Sequence, residues 1–209
     1  MGFKLTVAAF FLTAVIGQAA QAVASPTHLH WSEQQTVRPP SGNVKVIVSP
    51  SKNLNGAASV YAIVNGARPI ILFRLERDGM LSWNPNGSRI AITDQISSNR
   101  NVLRLFTFGD LNGSGVQSGD HLDNRLRSAA SADLPRASEL QYYFPRVENW
   151  LSNSRLRVSV GILYTFGATG SFKSKCMTFT IDTLHGYRIR RIRAADTPDK
   201  KRVHCQLWP

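Results

Sequence analysis

Acidic residues are scarce in this chain: 13 Asp and Glu stand against 25 Lys and Arg, for a formal charge of +12 over 209 residues. Scattered carboxylates are normally solvated surface, so they give little ground for carboxylate catalysis. The densest group is Asp110, Asp120, Asp123, Glu139 and Glu148. Cysteine is nearly absent, with only Cys176 and Cys205. A lone pair at that spacing fits no zinc pattern. The catalytic signatures are missing too. Residues 115–119 have the wrong spacing for a G-x-S-x-G nucleophile elbow, and there is no Walker-type loop and no H-E-x-x-H. Long apolar runs are absent after residue 17.

The one apolar run, residues 5–17, follows Lys4 and precedes two A-x-A sites, Ala20-Gln21-Ala22 and Ala22-Val23-Ala24. Thirteen residues are too few to span a bilayer, which takes about 20. Residues 1–24 therefore read as a secretory signal peptide cleaved after Ala24. No cysteine directly follows the run to carry a lipid anchor. The expected location is periplasmic or secreted. Export also makes a Cys176–Cys205 disulfide the expected state of an even cysteine count. Closing a loop of about 30 residues stabilises by roughly 3–4 kcal/mol in the chain-entropy model.

Residues 25–43 are rich in Ser, Thr, Gln and Pro and read as an extended arm. Within it, the H-x-H of His28 and His30 places both imidazoles on one face of a strand. Two ligands are too few for zinc unless others converge. Residues 44–209 read as a single β domain. Strands are expected at 44–48, 59–64, 69–73 and 102–108, and Asn65-Gly66 is a strong hairpin signal. Residues 110–145 shift in composition and read as an insertion across the sheet face. Leu122, Leu126, Ala129 and Ala130 recur at helical spacing, which predicts a helix over 121–131 with Asp120 as its N-cap.

Around Trp83 the chain runs Trp83-Asn84-Pro85-Asn86-Gly87-Ser88-Arg89-Ile90-Ala91-Ile92. Pro85 and Gly87 suit a tight turn, and Ile90 and Ile92 alternate like a strand. A degenerate echo follows at Trp150, Asn153, Ser154 and 156–160. This unit resembles the W-S-P-D-G-x-x-I-A-F signature of TolB-like β-propeller blades. Asn84, Asn86 and Ile92 depart from the usual Ser, Asp and aromatic. The resemblance implies an all-β fold: a small or incomplete propeller-like set of antiparallel sheets with a short helical insertion. A β-sandwich is the alternative. It also implies a binding or scaffolding role in the envelope, because such modules bind proteins through one rim.

Two further sites are legible. Asp110, Asn112 and Ser114 alternate before Gly115 like the first half of a calcium loop, with Asp120 further on. No bidentate Glu completes it, and an ordinary hairpin tip is the plainer reading. Calcium is the sole cofactor suggested. Arg188, Arg190, Arg191 and Arg193, followed by Lys200, Lys201 and Arg202, form a basic strip. A bulge near Arg190-Arg191 is expected to fan it outward. Such a strip suits an anionic partner, and edge protection is the competing explanation. The function expected is an exported, non-enzymatic protein that binds an envelope protein or an anionic lipid or glycan. The alternative is a secreted hydrolase acting on an acidic polymer through carboxylates at 110–123. No nucleic-acid motif is present. Intact-mass measurement of the exported protein is expected to show a chain beginning at Ser25 or Val23; retention of Met1 would refute cleavage.

Overall fold

A computed structural model describes residues 25–51, 57–109, 116–119, 121–136, 138–166, 170–184 and 186–192. The chain is mostly strand, with one helix among the described residues. Its elements are β1 (Thr27–Leu29), β2 (Gln35–Val37), β3 (Val44–Pro50), β4 (Ala58–Val64), β5 (Ile70–Leu75), β6 (Gly79–Trp83) and β7 (Arg89–Ser97). They continue as β8 (Arg100–Phe108), β9 (Val116–Ser118), α1 (Leu122–Ser131), β10 (Ser138–Trp150), β11 (Arg155–Phe166), β12 (Ser171–Asp182) and β13 (Arg188–Ile192). The expected all-β class holds. The strands form two sheets that do not close into a barrel.

The smaller sheet runs β2-β3-β4-β5, and all its pairings are antiparallel. Asn65 and Gly66 both take positive φ, 51° and 73°, in the turn after β4. That matches the primed hairpin turn the dipeptide favours. The larger sheet runs β1-β6-β7-β8-β10-β11-β12-β13, with β9 also on β8. β8 meets β10 in parallel at one position only, Arg100 opposite Tyr143. Beyond that point β10 crosses back over β6 and β7. The Val147 N–H donates to Thr93 Oγ1 at 3.2 Å, and the Trp150 indole N–H donates to the Ser82 carbonyl at 3.1 Å.

This crossing creates two cores. In the first, the small sheet packs on β1, β6, β7 and β8 through Val46, Val60, Leu75, Leu81, Trp83, Ile90, Ile92 and Phe106. In the second, Ala91, Leu103 and Leu105 meet β10, β11, β12 and one face of α1. The helix buries Leu122, Asp123, Leu126 and Ala130. Its N-cap is His121, which makes no side-chain cap; Asp120 lies outside the described residues. Residues 138–145, which composition places with the insertion, form the first part of β10.

Trp83 is 3% exposed, opposite Ile90 across the ladder and 5.8 Å from the Phe108 ring. Trp83 ends β6 and Trp150 ends β10, and the turns that follow the two strands touch. Asn84, fully buried, donates to the Asn153 carbonyl at 2.9 Å and accepts from Arg89 N at 2.9 Å. Gly87 has φ +69°, and a Cβ there would lie 2.0 Å from the Ser41 carbonyl. The turn thus needs glycine for its conformation and for the close approach of the arm.

Among the described residues, two carboxylates are buried. Asp94 is fully buried and receives Arg104 Nη2 at 2.8 Å, while the Arg104 guanidinium lies 4.8 Å from the Phe73 ring centre. Asp123, in the first turn of α1, accepts from Leu103 N at 2.9 Å and faces Arg100 and the Tyr143 hydroxyl. Burial raises both carboxyls above the ordinary 3.8, outweighing Arg104 at Asp94 and, at Asp123, the Leu103 amide and Arg100. The folded state therefore holds protons that the unfolded chain releases. Stability from these groups is greatest below the ordinary Asp range and falls as pH rises through the folded values. Urea unfolding of Asp94→Asn across acidic pH is expected to show a shallower loss of stability with rising pH than the parent. An unchanged slope would show that Asp94 ionises as freely as in the unfolded chain.

Candidate metal centre

Leu29 is fully buried in the first core and anchors β1. Side chains alternate across a strand, so His28 and His30 stand together on the opposite face. β1 pairs antiparallel with β6, placing His28 opposite Met80 and Leu29 opposite Gly79. That register brings Asp78, in the turn just before β6, beside the imidazoles. His28 Nδ1 and His30 Nε2 lie 3.1 Å apart, with ring centres at 4.3 Å. His30 Nδ1 is 3.7 Å from Asp78 Oδ1. One ligand atom from each of the three side chains falls within 4.8 Å of the others.

Gln35 of β2 holds the strand in place. Its Oε1 accepts from His30 N at 2.9 Å, and its Nε2 donates to the His28 carbonyl at 3.4 Å. The two histidines therefore sit on a backbone clamped from the other sheet. Donors about 2.0–2.2 Å from a tetrahedral ion stand about 3.3–3.6 Å apart. His30 faces His28 through Nε2 and Asp78 through Nδ1, so binding one ion commits a single His30 nitrogen and turns the other side chains toward it. Two imidazoles and a carboxylate suit zinc, copper, iron or nickel better than calcium or magnesium, which favour all-oxygen shells. Three protein ligands leave a position open for a further group.

Two of the three side chains, His28 and Asp78, also line a cavity of about 200 Å³. Its walls include His28, Asp78, Met80, Thr93, Asn101 and Arg146. Arg146 comes from β10, so the crossing that forms the second core also builds this wall.

The residues singled out from sequence fare differently. His28 and His30 do share a face, and Asp78 is the third group their motif required. The half-matched calcium loop, Asp110, Asn112, Ser114 and Asp120, lies outside the described residues, as do Arg193, Lys200, Lys201, Arg202 and Cys205. Cys176 lies in β12 opposite Gly161 of β11. Arg188, Arg190 and Arg191 lie on β13, the last strand of the larger sheet. The bulge expected near Arg190-Arg191 is absent: β13 pairs with β12 in unbroken register from Arg188 to Ile192. Arg188 and Arg190 are exposed on one face, whereas Arg191 is on the other and pairs with Asp133 beyond the helix. Of the carboxylates weighed for hydrolysis, Asp123 is 5% exposed and is engaged with the Leu103 amide. Glu148 accepts from the Ser159 hydroxyl at 2.5 Å.

Comparison of the chain with known protein families, curated proteins and solved structures finds no match. The site must therefore be read from its own chemistry.

Proposed function

We propose that this chain is an exported binding protein that holds a divalent transition-metal ion of the zinc type with His28, His30 and Asp78. The supporting observation is the convergence of ligand atoms from these three side chains within 4.8 Å, with His28 and Asp78 also lining a cavity. The arm supplies the nitrogen donors, and the turn before β6 supplies the carboxylate. Titration with Co²⁺, followed by its visible spectrum and by calorimetry, is expected to show one site per chain. His30→Ala and His28→Ala are each expected to weaken it by more than about tenfold, since even supporting residues of metal sites carry effects of that order. Equal affinity in the parent and both variants would refute the site.

A second reading concerns an anionic envelope lipid or glycan. Arg188 and Arg190 are exposed side by side on one face of the terminal strand, and neither makes an ion pair among the described residues. Guanidinium groups placed this way favour phosphate and carboxylate. With Arg188→Ala/Arg190→Ala, binding to anionic vesicles is expected to weaken most at low salt, where screening is least. Unchanged vesicle binding with readier aggregation would instead assign the arginines to edge protection.

A further inference from the structure

We infer that the cavity beside His28, His30 and Asp78 takes a small carboxylic acid bearing an α-hydroxyl or α-amino group, gripped between the metal ion and Arg146. This rests on the metal reading above and names the ligand of that same site. Three observations on the cavity wall lead to it.

The first is charge. Arg146 lines the cavity and is half-buried, and its guanidinium makes no ion pair or hydrogen bond among the described residues. A divalent ion and a guanidinium at one cavity leave positive charge that Asp78 alone does not balance. A partly desolvated cation is costly without an answering anion. A carboxylate meets both demands, because one oxygen fills the open metal position while guanidinium N–H groups hold the group from the other side.

The second is an orphaned acceptor. Asn101 is 6% exposed and lines the cavity, and its side-chain Oδ1 has no hydrogen-bond partner. Buried acceptors are nearly always satisfied, and one left unmade costs stability. That oxygen is itself shielded, so the amide turns toward the cavity to meet an O–H or N–H donor that the ligand carries beside its carboxylate. Acetate has no such donor, whereas a hydroxy acid or an amino acid carries one on the adjacent carbon.

The third is size and lining. The cavity volume of about 200 Å³ is roughly seven times the share of one water in the liquid. That admits a compact acid of a few carbons. Met80 gives one apolar wall for a short side chain. The Thr93 hydroxyl already accepts from Val147 N, so its own proton remains available as a second donor to the carboxylate.

The test uses the mature protein loaded with Co²⁺, titrated with L-lactate, acetate and inorganic phosphate. Visible absorption reports on the ion, and calorimetry reports on the acid. Lactate is expected to shift the cobalt spectrum saturably and to bind tighter than either acetate or phosphate. Arg146→Met is expected to keep the cobalt spectrum while lactate affinity falls by more than about tenfold, the scale of a charge-assisted hydrogen bond. Asn101→Leu, checked for folding by circular dichroism, is expected to bring lactate affinity down to that of acetate. If cobalt binds and lactate has no effect, or Arg146→Met binds lactate like the parent, the ligand assignment fails and the metal site stands. If acetate or phosphate binds as tightly as lactate, the role given to Asn101 fails. If no cobalt spectrum develops, the metal reading fails and the ligand assignment falls with it.

Discussion

β7 is buried on both faces, and the rest of the architecture follows from that. Ile90 and Ile92 point into the core shared with the small sheet, while Ala91 points into the core shared with the helix. A strand with one wet face would alternate apolar and polar; this one carries apolar or satisfied side chains on both sides. Covering its second face requires β10 to leave β8 and cross back. Two buried polar contacts fix where it crosses: Val147 N to Thr93 Oγ1 and the Trp150 indole to the Ser82 carbonyl. Burying either donor without its acceptor would cost about 1–3 kcal/mol. These contacts also decide where Arg146 stands, and so place the cavity beside β6 rather than elsewhere along β10.

The internal charges follow a related logic. Asp94 and Asp123 are withdrawn from water, and each is answered by an arginine, Arg104 and Arg100. Such pairs contribute modest net stability, because desolvation offsets much of the attraction. Removing one partner would leave a stranded charge, so they fix the arrangement of strands around them. Asp123 also joins the helix start to the β8 backbone through Leu103. With both carboxylates ionised each pair is neutral, and the formal excess of +12 lies on the remaining cations.

The local structure was readable where neighbours in sequence decide it. Asn65-Gly66 set its own turn, Trp83 was buried beside its own strand, and Leu122, Leu126 and Ala130 marked their helix face. The candidate metal cluster was only half readable. His28 and His30 declared a shared face, but Asp78 reaches them through the register that sets His28 against Met80, some 50 residues away. Nothing near Asp78 announces that pairing, and Arg77-Asp78-Gly79 looks like an ordinary turn. Arg146 was hidden for the same reason, since its position depends on β10 crossing β6. The bulge expected at β13 does not form, because the strand alternates regularly from Arg188 to Ile192. In the structure Ile189 packs toward the helix-side core, and Arg191 extends the same side to reach Asp133.

The short strand that carries the histidines also covers the outer ladder of β6. β6 is apolar along most of its length, with Met80, Leu81 and Trp83, and its pairing groups on that side are met by Thr27, His28 and Leu29. An apolar strand with open pairing groups recruits other chains. A three-residue strap is long enough to occupy that ladder and too short to template another molecule in its turn. Residues 25–30 therefore bear on solubility as well as on ligand chemistry: peeling the arm away would both scatter the imidazoles and lay bare an aggregation-prone border.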